Sequence, residues 1–297
     1  MTYHFSTTTK LSFDAAVAAT TEALKSDSPP DFWNDGTFRR ILLPCYTFLE
    51  VNHDCHERNP MRIRLKERRH ETADVTSFIF DLGGQQLEYR PGQILNYELD
   101  ALAFPDERGN RRHFSISSSP TEEGIVMFTT RMRGSGFKET LRQAPIGYEL
   151  TCEIPEGEFI LQQGEARLRH VFIAGGIGIT PYRSILRYSA DMNEPLNVLM
   201  LYFNRSSADI IFRQELESIT RQMPTFSLVN VLTEPEEGWK GEQGKLGEAI
   251  LRTRVPDPDG LCFWVSGAPS MVGACRELLE QMGVEEQNIR TDRFMGY

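Results

Sequence analysis

From Met61 to Leu161 the chain alternates short apolar runs with turn residues, a rhythm that predicts strands. The expected strands are Met61 to Arg69, Val75 to Leu82, Gln93 to Leu99, Arg112 to Ser117, Ile125 to Arg131, Glu149 to Ile154 and Glu158 to Leu161. One short helix is expected near Phe137 to Gln143. Six or seven short strands closing on themselves predict a small antiparallel barrel. After Gly164 the period changes. Apolar strands at His170 to Ala174, Asn197 to Phe203, Phe226 to Leu232, Leu261 to Ser266 and Ile289 to Asp292 alternate with helical patterns. The helices fall at Pro181 to Ala190, Ile211 to Gln222, Leu246 to Arg252 and Ser270 to Met282. That alternation predicts a parallel sheet wrapped by helices.

The first 60 residues follow neither rhythm. Phe13 to Lys25 reads as a short amphipathic helix entered from Ser12 and ended by Ser28-Pro29-Pro30, and Ile41 to Cys45 as a buried strand. The expected division is therefore an N-terminal segment over 1–60, a barrel over 61–164 and a nucleotide-binding domain over 165–297. The predicted fold class is two-domain, β plus α/β, with a small α+β segment in front.

Composition narrows the function classes. The chain has 297 residues, 40% of them hydrophobic, enough for two cores. Its 32 Lys and Arg stand against 42 Asp and Glu, a net charge of -10, and no basic tract points to nucleic acid. No signal-peptide pattern and no membrane-spanning apolar run occurs, so a cytoplasmic location is expected. The 5 cysteines are odd in number and scattered, which suits reduced thiols. None lies in a C-x-x-C, so a built-in plant-type iron–sulfur cluster is excluded. Cys45, His53, Cys55 and His56 match no standard zinc spacing, and no metal is expected.

Two motifs carry the chemistry. In the strand Arg112-His113-Phe114-Ser115, Arg112 and Phe114 point to one side, His113 and Ser115 to the other. The arginine offers a fork to phosphate oxygens, the phenyl ring a face for an aromatic ligand, and the hydroxyl a hydrogen bond at the ligand's edge. In isolation such a tetrapeptide is usually an ordinary half-buried strand. Here Tyr89-Arg90-Pro91-Gly92-Gln93 makes a turn upstream. Downstream, Gly134-Ser135-Gly136-Phe137 opens a helix whose free N–H groups can receive phosphate. The second motif, Gly175-Gly176-Ile177-Gly178-Ile179-Thr180-Pro181, is a glycine-rich turn between a buried strand and a helix. Thr180 is expected as N-cap and Pro181 as first helical residue. It is not the G-x-G-x-x-G fingerprint, and no acid at the end of the next strand plainly reads a ribose.

The order of these pieces resembles the ferredoxin–NADP reductase family over about Met61 to Tyr297. The resemblance implies an FAD-binding barrel followed by a domain for NADPH or NADH. It gives Arg112 the flavin phosphate, Phe114 a stack on the isoalloxazine and Ser115 a hydrogen bond near its N5. His113 and the turn Gly134, Ser135, Gly136 and Phe137 complete the cradle. Phe114 stands where many relatives carry tyrosine. Gly175, Gly176, Gly178, Thr180 and Pro181 would hold the coenzyme diphosphate, and Ser266 with Gly267 would border the nicotinamide, where relatives often carry cysteine. Arg205 and Ser206 can hold a 2′-phosphate, which favours NADPH slightly and leaves NADH open. Phe294 or Tyr297 would cover the flavin, unless the terminus is simply frayed.

The implied reaction is hydride transfer from NAD(P)H to FAD, with Ser115 and Ser266 nearest the chemistry, and then electron transfer to a separate acceptor. That acceptor is a protein such as a ferredoxin, a cytochrome or an oxygenase component, or a small molecule. The alternatives are a flavin or ferric-chelate reductase, a non-catalytic electron-transfer subunit, and a flavin-free barrel protein. The first 60 residues resemble a truncated domain of unknown function, DUF302-like. Oligomeric state stays open.

Overall fold

The computed structural model describes residues 60–162 and 164–295. The expectations for residues 1–59, among them Cys45, His53, Cys55 and His56, and that for Tyr297 lie outside the described residues.

The first sheet is antiparallel, with strands β1 (Met61–His70), β2 (Val75–Asp81), β3 (Ile94–Glu98), β4 (Arg111–Ser115), β5 (Ile125–Arg131) and β6 (Glu149–Cys152) in the order β4-β3-β6-β1-β2-β5. An antiparallel bridge between Ile116 and Phe128 joins the two ends, closing the sheet into a barrel. Inside it Phe78, Phe80, Tyr97 and Phe128 pack with ring centroids 4.7 to 5.8 Å apart. Helix α1 (Gly136–Gln143) plugs one end with Phe137 and Leu141, both fully buried.

The second sheet is parallel. Strands β7 (Arg169–Gly175), β8 (Asn197–Asn204), β9 (Phe226–Leu232), β10 (Glu242–Gln243), β11 (Leu261–Gly267) and β12 (Ile289–Arg293) run in the order β10-β9-β8-β7-β11-β12. Four helices accompany them: α2 (Thr180–Asp191), α3 (Arg213–Gln222), α4 (Glu248–Arg254) and α5 (Pro269–Gln281). The order reverses between β7 and β11, and crevices at the carboxyl ends of strands beside such a reversal are where open α/β sheets bind ligands.

Burial along each strand explains how the halves meet. In β1 buried positions alternate with exposed ones over Ile63 to Leu65, as a strand with one wet face requires. Strand β2 is buried at six successive positions and β5 at five, because both of their faces are covered. Phe78, Phe80 and Phe128 point into the barrel, whereas Val75, Ile79 and Met127 join the core that contains Phe172, Tyr182 and Trp264 of the parallel-sheet half.

The seventh barrel strand, expected over Glu158 to Leu161, is absent. Only Glu156 makes a bridge, to Ile94. Phe159 and Ile160 are buried as a connector instead, with the Phe159 ring edge-on to Tyr182 at 5.5 Å and to Trp264 at 5.0 Å. Its apolarity comes from packing between the halves and not from pairing in a sheet. Strand β10, two residues long, carried no pattern to find.

Candidate functional site

The carboxyl ends of the parallel strands open into a cleft of about 420 Å³. Gly175, Gly176, Asn204, Arg205, Asp209 and Lys245 line it from the parallel-sheet half, and Arg131 and Arg133 from the barrel. Sequence reading missed Arg131, Arg133, Asn204, Asp209 and Lys245, because only the fold brings them to one place.

The glycine turn is tighter than its sequence suggests. Gly176 to Ile179 form a 3₁₀ turn that runs straight into α2. Thr180 is therefore not the N-cap: its backbone is already helical, and its hydroxyl donates back to the Ile177 carbonyl at 3.2 Å. Pro181 does occupy the first turn of α2. Gly178 is required by close approach, since a Cβ there would stand 2.2 Å from the Ser266 carbonyl oxygen.

Two polar side chains at this edge are buried without partners. Both amide atoms of Asn204, at the end of β8, and the hydroxyl of Ser266, at the end of β11, have no hydrogen bond within the chain. Buried polar atoms cost about 1–3 kcal/mol each when unsatisfied, so Asn204, which lines the cleft, and Ser266 are groups that a bound ligand could satisfy. Ser206 and Arg205 are differently placed. The Ser206 hydroxyl donates to Asp209 at 2.7 Å, and Arg205 pairs with the same carboxylate at 3.4 Å.

At the seam between the halves, Ser115 Oγ lies 3.4 Å from Asp292 Oδ2, within reach of a weak hydrogen bond. Asp292 is the register partner of Ser266 on the neighbouring strand. Burial pushes the Asp292 carboxyl up to about 6, with the Ser115 hydrogen bond opposing only part of the rise. Phe294 follows two residues later, its N–H donating to the Gly267 carbonyl at 3.0 Å and its ring packed against the core beneath the parallel sheet.

The barrel motif departs from expectation in two ways. Phe114 is half-buried and already stacks one face on Phe128, at 4.2 Å between centroids and 4° between planes. Arg112 does not extend into open space. Its guanidinium pairs with Asp106 at 2.5 Å and donates to the carbonyls of Arg108, Gly109 and Arg111. His113, on the opposite side of β4, is exposed. Asp106, which the sequence did not single out, also accepts from Ser135 Oγ at 2.9 Å and from the N–H of Phe137 at 3.0 Å. Ser135 is the N-cap of α1. A second cleft of about 290 Å³ adjoins this helix start, lined by Gly134, Ser135, Gly136, Lys138 and Arg133.

These residues fit a nucleotide diphosphate. Arg112 Nε is buried without a partner. Lys138 is pushed down to about 8, by burial first and then by the charges of Arg108, Arg112 and Arg131, so cations crowd the start of α1. Among the described residues no cluster of potential metal ligands occurs, and no helix is long and apolar enough to cross a membrane.

Comparison with known proteins agrees with this geometry. Residues 172–277 match the oxidoreductase NAD-binding domain family. The chain is 29% identical over 233 residues to the glycine betaine monooxygenase reductase subunit of Chromohalobacter salexigens, covering 75% of this chain and 61% of that one. It is 24% identical over 272 residues to the anthranilate 1,2-dioxygenase electron transfer component of Acinetobacter baylyi, covering 86% and 77%. Several curated relatives are longer proteins, and the chain spans about half to three fifths of their length. In fold it is similar to a cytochrome P450 reductase from Amycolatopsis, with TM-score 0.69, 20% identity and coverage of 80% and 70%. The FAD/NAD-binding domain of nitric oxide dioxygenase from Vibrio cholerae superimposes with TM-score 0.67, 21% identity and coverage of 79% and 98%. With a closed barrel beside a parallel sheet, the chain is similar in fold to the FAD/NAD-binding reductases, and over residues 172–277 it matches the oxidoreductase NAD-binding domain.

Proposed function

We propose that this protein takes hydride from a reduced nicotinamide coenzyme onto an FAD held by the barrel and passes the electrons to a separate acceptor. The observation that carries the reading is the seam. Ser115 of the barrel and Asp292 of the parallel sheet meet there, one strand from the orphaned Ser266 hydroxyl and beside a cationic cleft to which both halves contribute.

Bound flavin supplies the ability to accept two electrons together and release them singly. Everything else is positioning by the chain. Arg112, Ser135, Lys138 and the Phe137 N–H offer donors for the flavin diphosphate, with Gly134 and Gly136 bringing backbone close and His113 at the rim. Phe114 gives its remaining face to the ring system, and Ser115, oriented by Asp292, hydrogen-bonds at the ring edge. Across the seam, Gly175, Gly176, Gly178, Thr180 and Pro181 shape the turn and helix start that receive the coenzyme diphosphate, aided by Arg131, Arg133 and Lys245. Ser266 and Gly267 border the nicotinamide, and Phe294 or Tyr297 shields the flavin between turnovers. Holding donor and acceptor atoms in contact supplies most of the rate, because hydride transfer needs no acid or base from the protein.

Of the two coenzymes, NADH suits the cleft better. Arg205 and Ser206 are the groups that would hold a 2′-phosphate, and both are already bonded to the Asp209 carboxylate, which repels phosphate and can accept from a ribose hydroxyl. For the acceptor, the kinship with reductase components of a monooxygenase and a dioxygenase supports an oxygenase component. The division at 1–60, 61–164 and 165–297 belongs to the same proposal. So does a cytoplasmic setting, where free thiols such as Cys152 and Cys275 persist.

The test is a visible spectrum of the purified protein reconstituted with FAD, followed by anaerobic titration with NADH and NADPH in parallel. Flavin bands that bleach stoichiometrically with NADH, and more slowly with NADPH, are expected. A protein that takes up no flavin at any concentration refutes the reading.

A further inference from the structure

The anion-binding start of α1 already holds an anion, and it belongs to the chain. The Asp106 carboxylate receives four hydrogen bonds: from Ser135 Oγ at 2.9 Å, the Phe137 N–H at 3.0 Å, the Arg108 N–H at 3.0 Å and the Arg112 guanidinium at 2.5 Å. Its side chain is only 7% exposed. Burial alone would raise its pKa, but the donors of Phe137, Arg108 and Ser135 and the charge of Arg112 outweigh it and hold the group at about 2. The backbone comes with it. The carbonyl oxygens of Phe104 and Pro105 lie where a Cβ on Gly136 would stand, 2.4 Å away, so this loop is laid against the first turn of the helix. Arg112 is drawn round to cap the same loop through three carbonyls, leaving its buried Nε without a partner.

These are the donors that suit a nucleotide diphosphate: a helix N-terminus, its cap hydroxyl and an arginine fork. A carboxylate and a phosphate cannot share them. We propose that Asp106 is an internal counter-anion seated in the diphosphate subsite, and that a flavin nucleotide binds by displacing it, lifting the loop of residues 103–110 from the start of α1. The proposal rests on the reading that the barrel binds flavin, and adds how the site loads. Displacing the carboxylate sets a cost against FAD binding, so the wild-type site holds FAD less tightly than the same site without the carboxylate.

Equilibrium binding of FAD and of riboflavin, followed by flavin fluorescence, is measured for wild type, Asp106→Asn and Asp106→Ala. Riboflavin carries no phosphate and does not contend for the subsite. The expected result is FAD affinity about tenfold or more higher in both variants, from loss of a competing charge-assisted ligand set, with riboflavin affinity unchanged. In wild type, hydrogen exchange at the Arg108 and Gly109 amides, bonded to Asp106 in this structure, accelerates when FAD binds, while the Phe137 amide stays protected. Should FAD bind the variants equally or more weakly with riboflavin unaffected, or the loop amides stay protected on loading, Asp106 is a positioning residue for Arg112 and the proposal is wrong. Failure of wild type and variants to bind either flavin removes the flavin reading itself, and the proposal with it. If neither variant folds, the wild-type exchange experiment alone decides.

Discussion

At the scale of single residues, the informative side chains are those whose partners lie far away in sequence. Asp292 shows this best. Its folded pKa of about 6 exceeds the ordinary aspartate value of roughly 3.9, so the native state binds more protons than the unfolded chain between about pH 4 and 6. Stability should therefore fall as pH rises through that window, by about 2–3 kcal/mol in all. The Asp292→Asn variant should lack this decline and be more stable than wild type at pH 7; urea unfolding from pH 4 to 8 measures the difference. Asp209 carries a prediction about specificity. Replacing it by Asn frees Arg205 and Ser206 and should raise the NADPH to NADH ratio of kcat/KM on the order of tenfold, through loss of one charge facing the phosphate; steady-state kinetics with both coenzymes reads this directly. Neither role was legible in sequence. Asp292 read only as the end of the last strand and Asp209 was not singled out, until the fold set Asp292 beside Ser115 and Asp209 in the cleft wall.

Elements were far more legible than residues, because periodicity is a local property. Strand β5 runs from Ile125 to Arg131 and β9 from Phe226 to Leu232, as the apolar pattern predicts. The failures have physical causes. Glu158 to Leu161 has the composition of a strand, but Phe159 is apolar in order to pack on Tyr182 and Trp264. Thr180 has the chemistry of an N-cap, but a 3₁₀ turn begins four residues earlier and carries it inside the helix. That turn is pinned by contact between elements. The Gly178→Ala change would drive a Cβ to 2.2 Å from the Ser266 carbonyl and 2.7 Å from the Gly267 nitrogen. Backbone on both sides leaves little room to yield, so a loss of roughly 1–3 kcal/mol is expected. Coenzyme affinity should drop with it. Thermal unfolding and a coenzyme titration on the same preparation test both parts.

For the whole molecule, the question is what keeps barrel and parallel sheet in one arrangement, since the proposed hydride transfer tolerates little slack. Beyond the apolar contact of β2 and β5, a buried charge does this. Arg183 of α2, 4% exposed, bonds Glu122 in the barrel's β4–β5 connection, Glu215 of α3 and the Ser117 carbonyl. Removing one partner of a buried ion network strands the others, at a cost of about 3–5 kcal/mol. Arg183→Ala should therefore split a single calorimetric transition into two, one for each half, and slow hydride transfer more than it weakens binding of either nucleotide. A variant that unfolds in one step with unchanged transfer rates would show that the apolar contact suffices.

By itself the sequence determined the order of strands and helices, the change from antiparallel barrel to parallel sheet, and the two motif strands around Arg112 and Gly175. All of these follow from side-chain period and turn chemistry within a few residues. Only the tertiary structure decided which charges face which. It set Asp106 on the start of α1, Asp292 beside Ser115, and Arg131 and Arg133 over a cleft belonging to the other half. Electrostatic partnership depends on distance in space, and residues such as Ser115 and Asp292, separated by 177 positions, share none of the local pattern that a reading along the chain can detect.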